Sequence, residues 1–398
     1  MARREAGLIR PPAPGATIPL SLLLAAVVAD DILPGAGLTL GPAVLGLTDV
    51  ILAALLLTGL GRLLRRPRPV TGSVLALLLG VAALLSLLRG IGVHSTAEAL
   101  AEARPWLAFL SATLFFSSLA PNPRSWDRLA RVWLVAAGVL VFLLAVRGTA
   151  KPAAALLLVQ AFFIALPCWR QDPAPVLRWA APVPLAAVVV LGEPIAGLAL
   201  LAGLAVTAAR NRGLARRMVP LVVGAAALAA VLTLAVPDGP AAGLVRHGAH
   251  VPVAARAEGW RSLLATEGPQ GFADTLLGSP FGGGFQREVS GTMVTVSPHS
   301  MVLEAALRLG MVGLGLLAAC WILVVARLRR VAAGAGLLTA PTLLVLVVVQ
   351  VGAALTATLG PEQGVVLGLA LASSAEVPLG SPPPASSVLR VAPGTPPG

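Results

Sequence analysis

Thr71-Gly-Ser-Val-Leu-Ala-Leu-Leu-Leu-Gly-Val-Ala-Ala-Leu-Leu-Ser-Leu-Leu88 runs without one charged side chain, between Arg68 and Arg89. About 20 mostly apolar residues carry a helix across the hydrocarbon core of a bilayer, fewer when the flanks snorkel. The same ruler applied outward finds further segments at 17–36, 43–61, 105–120, 131–147, 153–169, 178–192, 194–209 and 218–236. Three more follow at 299–325, 336–358 and 363–375. The expectation is an all-α polytopic membrane protein with about 12 transmembrane helices, eleven being the rival count. Composition agrees: 57% of residues are hydrophobic and 12% charged, against about 45–50% and about 25% in globular proteins. A soluble enzyme, a disulfide scaffold and a disordered chain are excluded together.

The net charge of +12 would suggest nucleic acid if the cations formed a patch. They alternate with the spans instead. Arg3, Arg4 and Arg10 precede the first; Arg62, Arg65, Arg66 and Arg68 follow the second; Arg124, Arg128 and Arg131 follow the fourth. Arg170 and Arg178 flank the next such connection, Arg210, Arg212, Arg216 and Arg217 follow the eighth span, and Arg327, Arg329 and Arg330 follow the tenth. Basic residues concentrate on the cytoplasmic side, so both termini are expected inside, and no nucleic-acid role is read. Residues 1–29 also have the outline of a signal peptide, with Val27-Val28-Ala29 as a cleavage site. Cys168 and Cys320 read as packing residues. From 376 onward the Pro/Gly/Ser-rich tail reads as a disordered cytoplasmic end.

The chain therefore divides into spans over 1–236, an outer loop over 237–298, spans over 299–375, and the tail 376–398. The loop is the one connection far longer than the usual limit of about 12–15 residues, and such loops carry function when they are ordered. All four histidines (His94, His247, His250 and His299) fall on the expected outer side. Ser297-Pro298 reads as an N-cap and first helical residue, which puts His299 in the first turn of the tenth span. There the helix dipole favours an anion and keeps an imidazole neutral. Glu304 and Arg308, four apart on that helix, are spaced to pair. Upstream, Arg256-Ala-Glu-Gly-Trp260-Arg261 starts an interfacial helix whose guanidinium groups suit phosphate oxygens. Gly282-Gly283-Gly284 forms a turn that allows close backbone approach.

An arginine-bearing helix, a Pro-x-Gly-x-Gly-like turn at Pro280–Gly284, His299-Ser300 opening a span, and Gly310-Met-Val-Gly313-Leu314 beyond it occur in that order. This order resembles the O-antigen ligase and polymerase superfamily of bacterial envelope glycosyltransferases. The resemblance implies transfer of a glycan from an undecaprenyl diphosphate carrier to a glycan or lipid acceptor hydroxyl, at the outer leaflet of the bacterial cytoplasmic membrane. It implies an inverting reaction that needs neither metal nor cofactor. It places the catalytic role on His299 and diphosphate binding on Arg256 and Arg261, with Glu304, Ser300, Gly282 and Gly283 as site support. Two departures stand out: Ser300 replaces the usual Asn, and Gly192-Glu193-Pro194 stands where an arginine is usual. One rival reading takes Asp30-Asp31 as the acidic pair of a polyprenyl-phosphate-sugar transferase. Another takes the chain as a lipid-linked glycan flippase or transporter. His247-x-x-His250 lacks the further ligands a zinc site needs.

Overall fold

The computed structural model describes residues 17–32, 38–40, 43–65, 71–119, 123–147, 152–167, 179–191, 194–210, 253–269, 271–289, 292–295, 298–331, 338–355, 357 and 360–374. The span expected over 218–236, the residues Cys168, Glu193, His247 and His250, and the tail lie outside them. Every other expected span coincides with a helix. In chain order these are α1 (Thr17–Ile32), α2 (Leu47–Leu64), α3 (Thr71–Val93), α4 (Thr96–Ser117), α5 (Pro123–Arg147), α6 (Pro152–Ala165), α7 (Pro182–Leu191) and α8 (Pro194–Arg210). The long connection adds α9 (Val253–Glu267) and α10 (Phe272–Leu277), and α11 (Met301–Leu328), α12 (Ala340–Ala354) and α13 (Pro361–Ser374) complete the series. Two short antiparallel hairpins interrupt the helices: β1 (Leu38–Leu40) with β2 (Ala43–Leu45), and β3 (Gln286–Val289) with β4 (Thr292–Thr295).

Leu47–Leu64, Gly72–Val93, Ser125–Val146 and Met301–Leu328 are long and apolar enough to cross a membrane. They turn large apolar side chains outward: Leu57 is 71% exposed, Val135 67% and Ile322 69%. Water would disfavour such faces, and lipid does not. The chain is a multi-pass membrane protein.

Helix starts follow local chemistry. Ser95 caps α4, accepting from Glu98 N–H while the Glu98 carboxylate accepts from Ser95 N–H and hydroxyl, the reciprocal arrangement of a capping box. Asp49 accepts from Gly46 N–H at the head of α2 and pairs with Arg104 of α4 at 2.7 Å. Thr339 caps α12.

At the centre lie α4 and α13. Ala108 to Ser117 of α4 is buried on all sides, as is nearly the whole of α13. The two run parallel, because Gly364 meets Phe109 and Gly368 meets Thr113 and Phe116, one turn further along each helix. A Cβ on Gly368 would sit 2.7 Å from the Thr113 carbonyl oxygen. This small-x-x-x-small contact substitutes close backbone packing for the missing hydrophobic drive between helices in lipid. On the other flank of α4, Gly59 of α2 meets the Phe115 backbone. Around this pair α3 packs on α4 and α11, α12 packs on α13, α11, α8 and α6, and α5 joins α1, α6 and α7.

Gly368→Val is expected to destabilise the purified protein by about 1–3 kcal/mol or more, since overpacking here meets backbone. Gly80→Ala, at a helical glycine with nothing within 4 Å of its missing Cβ, should gain about 0.5–1 kcal/mol. Unfolding midpoints in detergent separate the two; equal midpoints would refute the α4–α13 contact.

Candidate functional site

One end of the bundle gathers the polar residues. There α3 ends, α4 and α11 begin, and α9, α10 and the turn 278–285 cover them. α11 is broken at Gly310, whose φ of 64° and ψ of −165° lie outside the helical range. The break is met by another segment of the chain: Gly278, at φ 72°, brings its backbone against Gly310, and a Cβ there would lie 2.6 Å from Gly310 N. Both positions therefore need glycine. Carbonyl oxygens beside the break find partners from other elements. Leu307 O accepts from Ser279 N–H at 2.7 Å, and Arg308 O from the Ser86 hydroxyl of α3 at 2.8 Å. Arg89 of α3 donates to Gly278 O at 2.9 Å and lies 3.7 Å from the Asp274 carboxylate of α10. Backbone polar groups away from water need such partners.

Glu102 of α4 organises the glycine turn. Its Oε2 accepts from Gly282 N–H at 2.6 Å and Gly284 N–H at 3.1 Å, and its Oε1 accepts from Arg308 Nε. Gly282 and Gly284 have φ of 114° and 66°, a conformation that turns successive N–H groups inward to form an anion-binding nest. Arg308, 1% exposed, also donates to Gly284 O, lies 3.8 Å from Glu267 of α9 and stacks over Phe285 with its guanidinium carbon 4.4 Å from the ring centroid. The charge is thus shared among a carboxylate pair, a carbonyl and an aromatic face. Sequence spacing pointed to Glu304 as the acid for Arg308; the structure supplies Glu102 and Glu267 from other helices.

Beside this cluster two adjoining cavities, about 540 and 460 Å³, form a cleft, with Glu98, Gly282, Gly283 and Gln286 common to both. Trp106, Phe281 and Glu304 line the first, His94 and Arg308 the second. Of the expected support residues, Gly282, Gly283 and buried Glu304 are brought together here. Glu98 stands exposed at the rim, its carboxyl held below the usual range by the hydrogen bonds from Ser95.

No family model matches the chain. Neither does any curated protein or any solved structure.

The start of α11 corrects the sequence expectation. Ser300, not Ser297, is the N-cap, its hydroxyl accepting from Leu303 N–H at 3.3 Å. Met301, with its N–H bonded to Ala357 O at 2.8 Å, is the first helical residue. His299 therefore precedes the helix rather than joining its first turn, exposed and in the left-handed region at φ 48°. The hydroxyl of Ser300 reaches the third helical N–H, as an N-cap side chain does; Ser297 lies outside the described residues. Trp260 of α9 donates its indole N–H to Pro298 O at 2.9 Å. Arg256 precedes Trp260 by one helical turn; its side chain lies outside the described residues. Arg261 is exposed.

Glu102, Glu98, His94, Arg89 and Ser86 were not picked out by sequence reasoning as site residues. A signal was present. In a chain this poor in charge, Arg89, His94, Glu98, Glu102 and Arg104 crowd into one connection, and Glu98 and Glu102 share a helix face.

Proposed function

We propose that the chain is a membrane glycosyltransferase of O-antigen ligase or polymerase type. It moves a glycan from undecaprenyl diphosphate to an acceptor hydroxyl at the outer leaflet of a bacterial cytoplasmic membrane. The observation that carries this reading is the Trp260–Pro298 hydrogen bond. It ties the helix bearing Arg256 and Arg261 to the peptide beside His299, which supports reading the arginines and the imidazole as parts of one site. His299 adds a second support, since a non-glycine residue at positive φ costs energy and such residues collect at functional sites.

In this reading the guanidinium groups bind the diphosphate, with geometry suited to its oxygens. The acceptor oxygen attacks the anomeric carbon from the face opposite the diphosphate. The new C–O bond forms as the bond to the diphosphate oxygen breaks, the electron pair leaves with undecaprenyl diphosphate, and the hydroxyl proton passes to His299. Inversion follows from the single displacement. The acceptor reaches the site from the outer side, with both termini cytoplasmic.

Two measurements test the proposal. Purified protein in nanodiscs, given an undecaprenyl diphosphate-linked oligosaccharide and a glycolipid acceptor, should release undecaprenyl diphosphate in step with product. No release with any envelope acceptor would remove the reading. Ala265→Cys, at an exposed position of α9, should react with an impermeant maleimide from outside intact cells. Labelling only from the cytoplasmic face would invert the topology and with it the outer-leaflet assignment.

A further inference from the structure

The cleft beside Glu102 has the wrong charge for a diphosphate. Glu98, Glu102, Glu267 and Glu304 line it against one guanidinium, Arg308, and that guanidinium is already engaged by Glu102 and Glu267. The inward N–H groups of Gly282 and Gly284, otherwise suited to phosphate, are filled by the Glu102 carboxylate. An added anion would meet carboxylates and no uncommitted guanidinium among the described lining residues.

A sugar hydroxyl has the opposite demands. It is uncharged, it donates, and a carboxylate is the strongest acceptor a side chain offers it. Trp106, Phe281 and Phe285 supply an apolar wall that suits the C–H face of a pyranose ring. Gly283 leaves a bare stretch of backbone between the two lobes. The volume falls in the usual range for small-ligand sites, about 300–1,000 Å³.

We propose that this cleft binds an uncharged, hydroxyl-rich sugar, with Glu98 as its principal acceptor and Gly283 as the surface over which the ring lies. The inference rests on the glycosyltransferase reading at one point only, that this sugar is the acceptor of the transfer.

The test uses the full-length protein in nanodiscs and saturation-transfer NMR with lactose, maltose and chitobiose as probes. At least one should take up saturation at its ring protons. Gly283→Leu should abolish that signal. A Cβ at Gly283 meets only the His94 ring, at 3.5 Å, an ordinary contact, so the leucine fills the cleft rather than breaking the turn. Glu98→Gln, at an exposed site, should weaken binding about tenfold, the scale of one charge-assisted hydrogen bond, and it serves as the deciding variant if Gly283→Leu unfolds. Inorganic pyrophosphate should not displace the sugar. Absence of signal from all three sugars, an unchanged signal in a folded variant, or displacement by pyrophosphate would overturn the proposal. Sugar binding without any glycan transfer would sustain the cleft and defeat the transferase reading. Transfer without sugar binding would do the reverse.

Discussion

His299→Ala is expected to slow glycan transfer by about a hundredfold or more while leaving membrane insertion and donor binding intact. The chemistry sets the size. A diphosphate departs readily once its charge is met by guanidinium groups, so the leaving group needs little further help. The acceptor hydroxyl is the poor partner, barely nucleophilic until its proton has somewhere to go. General-base assistance is typically worth about 10²–10⁴-fold. His299 is exposed and sits outside α11, so its loss removes no core packing, and the effect should fall on kcat rather than on protein yield. Transfer by the purified variant within a few-fold of wild type would take His299 out of the mechanism.

Glu102→Ala should be the most damaging substitution to the structure of the site, by about 3–5 kcal/mol. The figure follows from what is stranded. Of its two carboxylate partners Arg308, 2% exposed at its side chain, would keep only the more distant, Glu267 at 3.8 Å. Gly282 and Gly284, both half-buried, would lose the acceptor of their N–H groups, which loosens the turn further. Glu102→Gln should fall between, because its amide oxygen still serves the turn but no longer carries charge. Unfolding in a detergent series measures the order. If Glu102→Ala unfolded at the wild-type midpoint, the ion cluster would have no part in holding the loop.

The helices were legible in the sequence because the signal for them is long: an apolar run is hard to mistake, and each expected span within the described residues contains a helix, four of them long and apolar enough to cross a membrane. Their packing was less so. In the last segment Gly364 and Gly368 are what let α13 approach α4 so closely, and nothing local in the sequence names their partner helix. The break at Gly310 was invisible because the apolar run continues through it; it is met by Gly278, some thirty positions earlier in the chain. His299 falls outside the helix because Ser300 caps it, whereas the Ser297-Pro298 pair carries the stronger local signature of a helix start. Glu102 escaped notice because its partners, the Gly282 turn and Arg308, are distant in sequence, and a carboxylate near a span end is ordinarily solvated. Gly282, Gly283 and Glu304, which line the cleft, could be singled out because the turn and the span opening carry local signatures.

The break in α11 also bears on membrane depth. Residues 311–328 rise about 27 Å as a helix, close to the hydrocarbon thickness of about 30 Å. The portion beyond Gly310 is by itself almost a complete crossing. Residues 301–309, with Glu304 and Arg308, are surplus to that length and are fastened sideways to α3 and α10 instead of upward along their own helix. Two ionised side chains in one apolar helix thus need not be set in hydrocarbon. The interruption works as a boundary marker, dividing the part of the helix that is long enough for lipid from the polar residues gathered at its start.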